Sequence, residues 1–113
     1  MTIERVWSAR TTHDKLAAYV EYFRRVVIPE LAAVAGYCGH RLLQRRLASD
    51  TVSGAGPAAQ AIEIVVVTEW ESLDVIRGFA GDDLDRAVVH EEAAVLFTDY
   101  DDTVRHYDVV TRS

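Results

Sequence analysis

Two histidines stand where their surroundings could make a base of either. His90 has Ala87, Ala94 and Phe97 at i−3, i+4 and i+7 and Arg86 at i−4, so a helix there would gather them on one face. A histidine with small apolar neighbours can project into a cavity, and an unperturbed pKa near 6.5 suits it to general-base work. The competing reading is a hydrogen-bonded surface histidine beside Glu91 and Glu92. His40, on an expected strand with Leu42 and Cys38 by the period of two, is the second candidate base. Trp70 ends an apolar strand on the face of Ile62, Ile64, Val66 and Thr68, where its ring could wall an aromatic ligand or simply pack the core. Tyr37, Tyr19 and Tyr22 could donate hydrogen bonds to a phenol or quinone oxygen, Tyr19 fitting the apolar stripe of the first helix better than Tyr22; each can also be a core aromatic with its hydroxyl at the rim. Arg86 and Phe97 complete the expected substrate-binding set. His106 and Tyr107 read as structural, and His13 as exposed.

Other chemistries find little support. Four histidines lie far apart with no HExxH pattern, and the clusters Asp82-Asp83 and Asp99, Asp101, Asp102 lack the spacing of a calcium loop, so no metal site is expected. No glycine-rich phosphate loop is present: Gly54-Ala55-Gly56-Pro57 has no following lysine, and no flavin, nucleotide or other cofactor site can be argued. A formal net charge of −6 argues against nucleic acid or an anionic membrane as partner. The first residues carry charges where a signal peptide needs an apolar core, and no apolar run approaches the roughly 18 residues of a membrane span. Cys38 is alone, which rules out an internal disulfide, and a cytoplasmic location is the expectation.

The elements that would position these residues follow from periodicity. At 113 residues the chain is expected to be one domain, 1–113. Residues 2–11 read as a first strand. Thr12 can cap a helix with Leu16, Tyr19, Val20, Phe23, Val26, Val27 and Leu31 at helical spacing, which Pro29 should end or kink near Ile28. Gly36 closes that segment, and a second strand is expected from Tyr37 to Ala48. Residues 49–60 read as a loop by composition. The β-branched run from Ile62 to Trp70 is the third strand, followed by a short helix capped by Ser72 and stopped by Gly81. Residues 83–98 then read as helical, and Thr103–Thr111 as a last strand. The order β-α-β-β-α-β predicts an α+β, ferredoxin-like fold with helices on one face of a four-stranded antiparallel sheet. The other face would hold Val65, Val67, Leu43 and Val109 uncovered, which predicts a homodimer joined sheet to sheet.

Three strings, YVEYFRRVVIPELAAVAGYCGHRLLQRR, VVVTEWESLDVIRGFAG and AVVHEEAAVLFTDYDDTVRHYDVV, carry a family resemblance. Over about Ile3 to Val110 the chain resembles the antibiotic biosynthesis monooxygenase family, small dimeric α+β barrels. The resemblance implies a cofactor-independent oxygenase that converts electron-rich, polyketide-type phenols to quinones. It leaves open a haem degrader, a polyketide cyclase or isomerase, or a binding protein without turnover on the same barrel. The haem-degrading branch has a Trp, matched by Trp70, and a His shortly after it, where Phe79, Ala80 and Gly81 offer no ligand. A cavity below roughly 300 Å³ would be too small for a polycyclic ligand.

Overall fold

Alternation along one strand divides the molecule into two sides. In the computed structural model, which describes residues 2–47 and 59–113, β3 (Ala61–Trp70) turns Ile62, Ile64, Val66, Thr68 and Trp70 inward, all of them buried. Removing each such apolar side chain from water contributes about 2 kcal/mol, so this strand dominates the core. Glu63, Val65, Val67 and Glu69 point the other way. β1 (Ile3–Thr12) pairs antiparallel with β3 along its whole length, Ile3 opposite Trp70 and Thr12 opposite Ala61. Its inward side is therefore Ile3, Arg5, Trp7, Ala9 and Thr11.

β2 (Tyr37–Arg46) pairs antiparallel with the other edge of β3. The fourth strand is split. β4 (Asp99–Tyr100) pairs with Ala9 and Arg10, and β5 (Arg105–Asp108) with Ile3–Val6, both along the same edge of β1. The order β2-β3-β1-β4, with β5 on β1 beside β4, is the ferredoxin-like arrangement with its last strand broken in two. The sheet thus has five strands among the described residues where four were expected. The single strand expected over Thr103–Thr111 is shorter because Asp99–Tyr100 takes the far end of the same edge.

Helices cover the inward side. α1 (His13–Tyr22) passes through a π-helical turn, Phe23–Val27, into α2 (Ile28–Ala32). Pro29 neither ends nor breaks this helix. The wider turn donates the Ile28 amide to the carbonyl of Phe23, five residues back, just before the proline that has no donor. α3 (Leu73–Ala80) starts at Ser72, whose hydroxyl accepts from the Val75 amide, and stops at Gly81 with φ +80°.

The helix expected over 83–98 is not formed; only α4 (Glu91–Ala94) is helical. Residues 83–87 instead take part of their backbone hydrogen bonds elsewhere. The Ala87 amide donates to the carbonyl of Asp102 and the Val104 amide to that of Asp85, both at 2.8 Å. Arg86 forms a bridge with Thr103. The loop expected over 49–60 lies outside the described residues except for Ala59 and Gln60, as does Ala48; β2 ends at Arg46.

Candidate functional site

The long helix, the inner sheet face and the extended strap 82–90 enclose a cavity. Its aromatic walls are Tyr19 and Phe23 from the helix, Phe97, Trp7 from β1 and Phe79 from α3. Tyr19 and Phe97 rings meet at 5.0 Å, and Phe97 and Trp7 edge to face at 5.5 Å. Such contacts fix the rings and leave the space between them apolar. Val66 and Thr68 form the sheet side, and Val88, Val89 and His90 the cover. The water-accessible volume is about 60 Å³. That is room for a few water molecules, whereas an engineered cavity that takes benzene measures about 150 Å³. As it stands the cavity is too small for an aromatic ring of any size, so a ligand must displace part of its wall, a single ring far less of it than the polycyclic ligand that the resemblance implies.

Two polar features interrupt the apolar lining. At the mouth, His90 Nε2 lies 3.0 and 3.1 Å from the carboxylate oxygens of Glu30. With Nε2–H donating to Glu30, the Nδ1 lone pair is left as proton acceptor. The other is Arg5, only 4% exposed. Its Nη1 donates to the carbonyl of Leu84 at 2.6 Å and faces His106 Nε2 at 3.0 Å, while Nη2 donates to the carbonyl of Arg86 at 2.8 Å. Burial lowers its pKa to about 10, which still leaves it charged at neutral pH. His106, mostly buried, has its pKa lowered by desolvation first and by the Arg5 charge second, with Asp85 opposing from 3.6 Å. Burial also pushes the Tyr19 hydroxyl well above the ordinary tyrosine value, and burial first, then Glu30 and Glu92, raises that of Tyr22.

The residues expected from sequence divide into two groups. His90, Tyr19 and Phe97 line the cavity. His90 does so as the extended residue preceding α4, not from a helical face. Trp70 is fully buried one layer behind, its Nε1 donating to Thr68 Oγ1 at 2.8 Å and its ring packed against Tyr37 and Phe79. His40 is exposed and bonded through Nδ1 to the Tyr37 hydroxyl at 2.7 Å, apart from the cavity. It does not share a face with Cys38, because the register shift between Tyr37 and Gly39 makes Cys38 a bulge residue. Arg86 is exposed and gives the site only its carbonyl, since without a helix over 83–90 it is no longer one turn from His90.

Arg5 and Glu30 were not selected from sequence, and Tyr22 was named only as a candidate donor that fits its helix less well than Tyr19. Arg5 had a signal: it is the charged residue in the inward-facing set Ile3, Arg5, Trp7, Ala9, Thr11. Glu30 had none, because its partner is 60 residues away. Among the described residues no three His, Cys, Asp or Glu side chains gather as a metal centre would require.

No family model matches this sequence, and no curated protein does. Solved structures do match by shape. A Bacillus cereus protein described as a candidate antibiotic biosynthesis monooxygenase superposes with TM-score 0.63 at 15% identity, over 100% of this chain and 95% of that one. A form of the protein MhuD carrying two manganese protoporphyrin IX molecules per active site superposes at 0.54, with 17% identity over 98% and 97% of the two chains. A dimeric ferredoxin-like protein from an uncultured marine organism superposes at 0.53, with 11% identity over 99% and 98%. At these identities the likeness is one of fold: the chain has the ferredoxin-like fold of proteins described as antibiotic biosynthesis monooxygenases.

Proposed function

We propose that this chain is a cofactor-independent monooxygenase acting on a compact aromatic or enolisable polyketide-type molecule, with His90 as base. The observation that carries the reading is an aromatic-walled cavity with a Glu30-paired histidine at its mouth. Glu30 stabilises the imidazolium that forms when Nδ1 takes the phenolic or enolic proton. The resulting anion is electron-rich enough to reduce molecular oxygen. In the overall reaction a phenol and one O₂ give a quinone and one water: one oxygen atom becomes the new carbonyl, and the ring C–H and phenolic O–H hydrogens leave with the other. Trp7, Tyr19 and Phe97 would hold the ring and exclude water, which keeps the anion reactive.

The assembly we infer is a homodimer through the outer sheet face, supported by the exposed Leu43, opposite Val65, and the exposed Tyr107, opposite Glu4. Oxygen uptake with a panel of electron-rich single-ring phenols unsubstituted at the para position tests the catalytic reading. Wild type should consume oxygen in step with quinone formation, and His90→Gln should lose about 100-fold in turnover. No uptake above background across the panel overturns it. Product formed equally well without oxygen overturns it too, in favour of a cyclase or isomerase using the same base.

A further inference from the structure

Arg5 is the one buried cation among the described residues, and Asp85 is the acidic group that acts on it, without a direct contact. No carboxylate oxygen lies within 4.0 Å of its guanidinium among the described residues. Its three hydrogen bonds go to two carbonyls and a histidine nitrogen, none of which carries a full negative charge. A guanidinium has five N–H donors, so two, including that on Nε, have no protein partner among the described residues. A buried unpaired charge is costly, and a ligand anion is the natural complement where the group lines a cavity.

A second side chain shares this deficit. The Tyr22 hydroxyl is buried without a hydrogen-bond partner and lines the same cavity. Buried hydroxyls are normally satisfied, so an orphan hydroxyl on a residue of the cavity wall is free to donate to a polar ligand atom. The Phe79 ring lies 5.9 Å from the Arg5 guanidinium carbon and gives it a cation–π contact, but the aromatic rings offer no oxygen or nitrogen acceptor to either group.

From this juxtaposition we infer that Arg5 is the anion-holding residue of the cavity, binding a phenolate, enolate or carboxylate oxygen of a single-ring ligand, with the Tyr22 hydroxyl donating a second hydrogen bond to it. The inference rests on the cavity being the ligand site, as proposed above. It adds that the ligand is bound as an anion, so recognition is by charge as well as by aromatic shape.

Benzoate and nitrobenzene, equal in shape and different in charge, separate these contributions by calorimetry without turnover. Wild type should bind benzoate at least about tenfold tighter than nitrobenzene, the scale of one charge-assisted hydrogen bond. Arg5→Leu should remove that preference, Arg5→Lys should retain part of it, and Tyr22→Phe should weaken benzoate severalfold while leaving nitrobenzene unchanged. Should Arg5→Leu fail to fold, the lysine variant and the wild-type ratio still decide. Equal affinities in wild type, a benzoate preference that survives in Arg5→Leu, or no binding of either probe at millimolar concentration overturns the inference. A protein that prefers benzoate yet consumes no oxygen keeps the anion site and loses the oxygenase.

Discussion

At the scale of single residues, Arg5 and His106 are neighbours that compete for protons. Desolvation and the adjacent guanidinium hold the His106 pKa below the ordinary value of about 6.5, so the folded state favours the neutral imidazole. A depressed folded pKa means the unfolded chain binds the proton more readily. Stability from this group is therefore complete above about pH 6.5 and is lost as pH falls through the folded value. Thermal melts between pH 7.5 and 5 should fall more steeply for wild type than for His106→Gln, whose amide can still accept from Arg5. Equal slopes would show that His106 does not carry this linkage. Arg5 escaped notice in the sequence because Glu4-Arg5 reads as one more solvated charge pair; only its register opposite Thr68 turns it inward.

Among the elements, the turn at Gly36 is the most constrained. Its φ is +94°, and a Cβ built there would lie 2.8 Å from both γ-carbons of Val75. Gly36→Ala should cost about 2 kcal/mol or more in denaturant titrations, the sum of a left-handed backbone penalty and overpacking. Adding Val75→Ala should restore only the steric part; full recovery would contradict the backbone contribution. The three long strands, the stop at Gly81 and the cap at Ser72 were legible because strict alternation and local capping chemistry fixed them. The strap was not. Leu84, Ala87 and Val88 keep a helical spacing, but carbonyls of Asp85 and Asp102 and the Arg5 side chain take backbone groups a helix would have used internally. Those partners are remote in sequence, so the error in the strap carried His90 and Arg86 with it. Pro29 misled in the opposite sense, since a π-helical turn accommodates what an α-helix would not.

At the scale of the whole molecule, the outer sheet face is the least satisfied surface. Val67 is buried, but Leu43, between the flanking pairs Glu4–Arg41 and Arg45–Glu63, is 44% exposed, and Tyr107, on β5 opposite Glu4, is 49% exposed. Chain segments near the end already bear on part of this face, through the Val109 amide to Thr2 and the pair of Arg112 with Glu69. Sedimentation at micromolar concentration should show a two-copy assembly for wild type and a single folded copy for Leu43→Glu; a single wild-type copy would refute the sheet-to-sheet dimer. The strap, finally, is secured unevenly. Its Asp85–Ala87 portion is bonded to 102–104, while no amide of Val88, Val89 or His90 donates to a backbone acceptor among the described residues. It is a leaf hinged at Ala87 and latched by the exposed His90–Glu30 pair, worth about 1 kcal/mol at most. A ring-sized guest would enter by tripping that latch while the hinge keeps its grip on Arg5, so the doorway swings without disturbing the wall behind it.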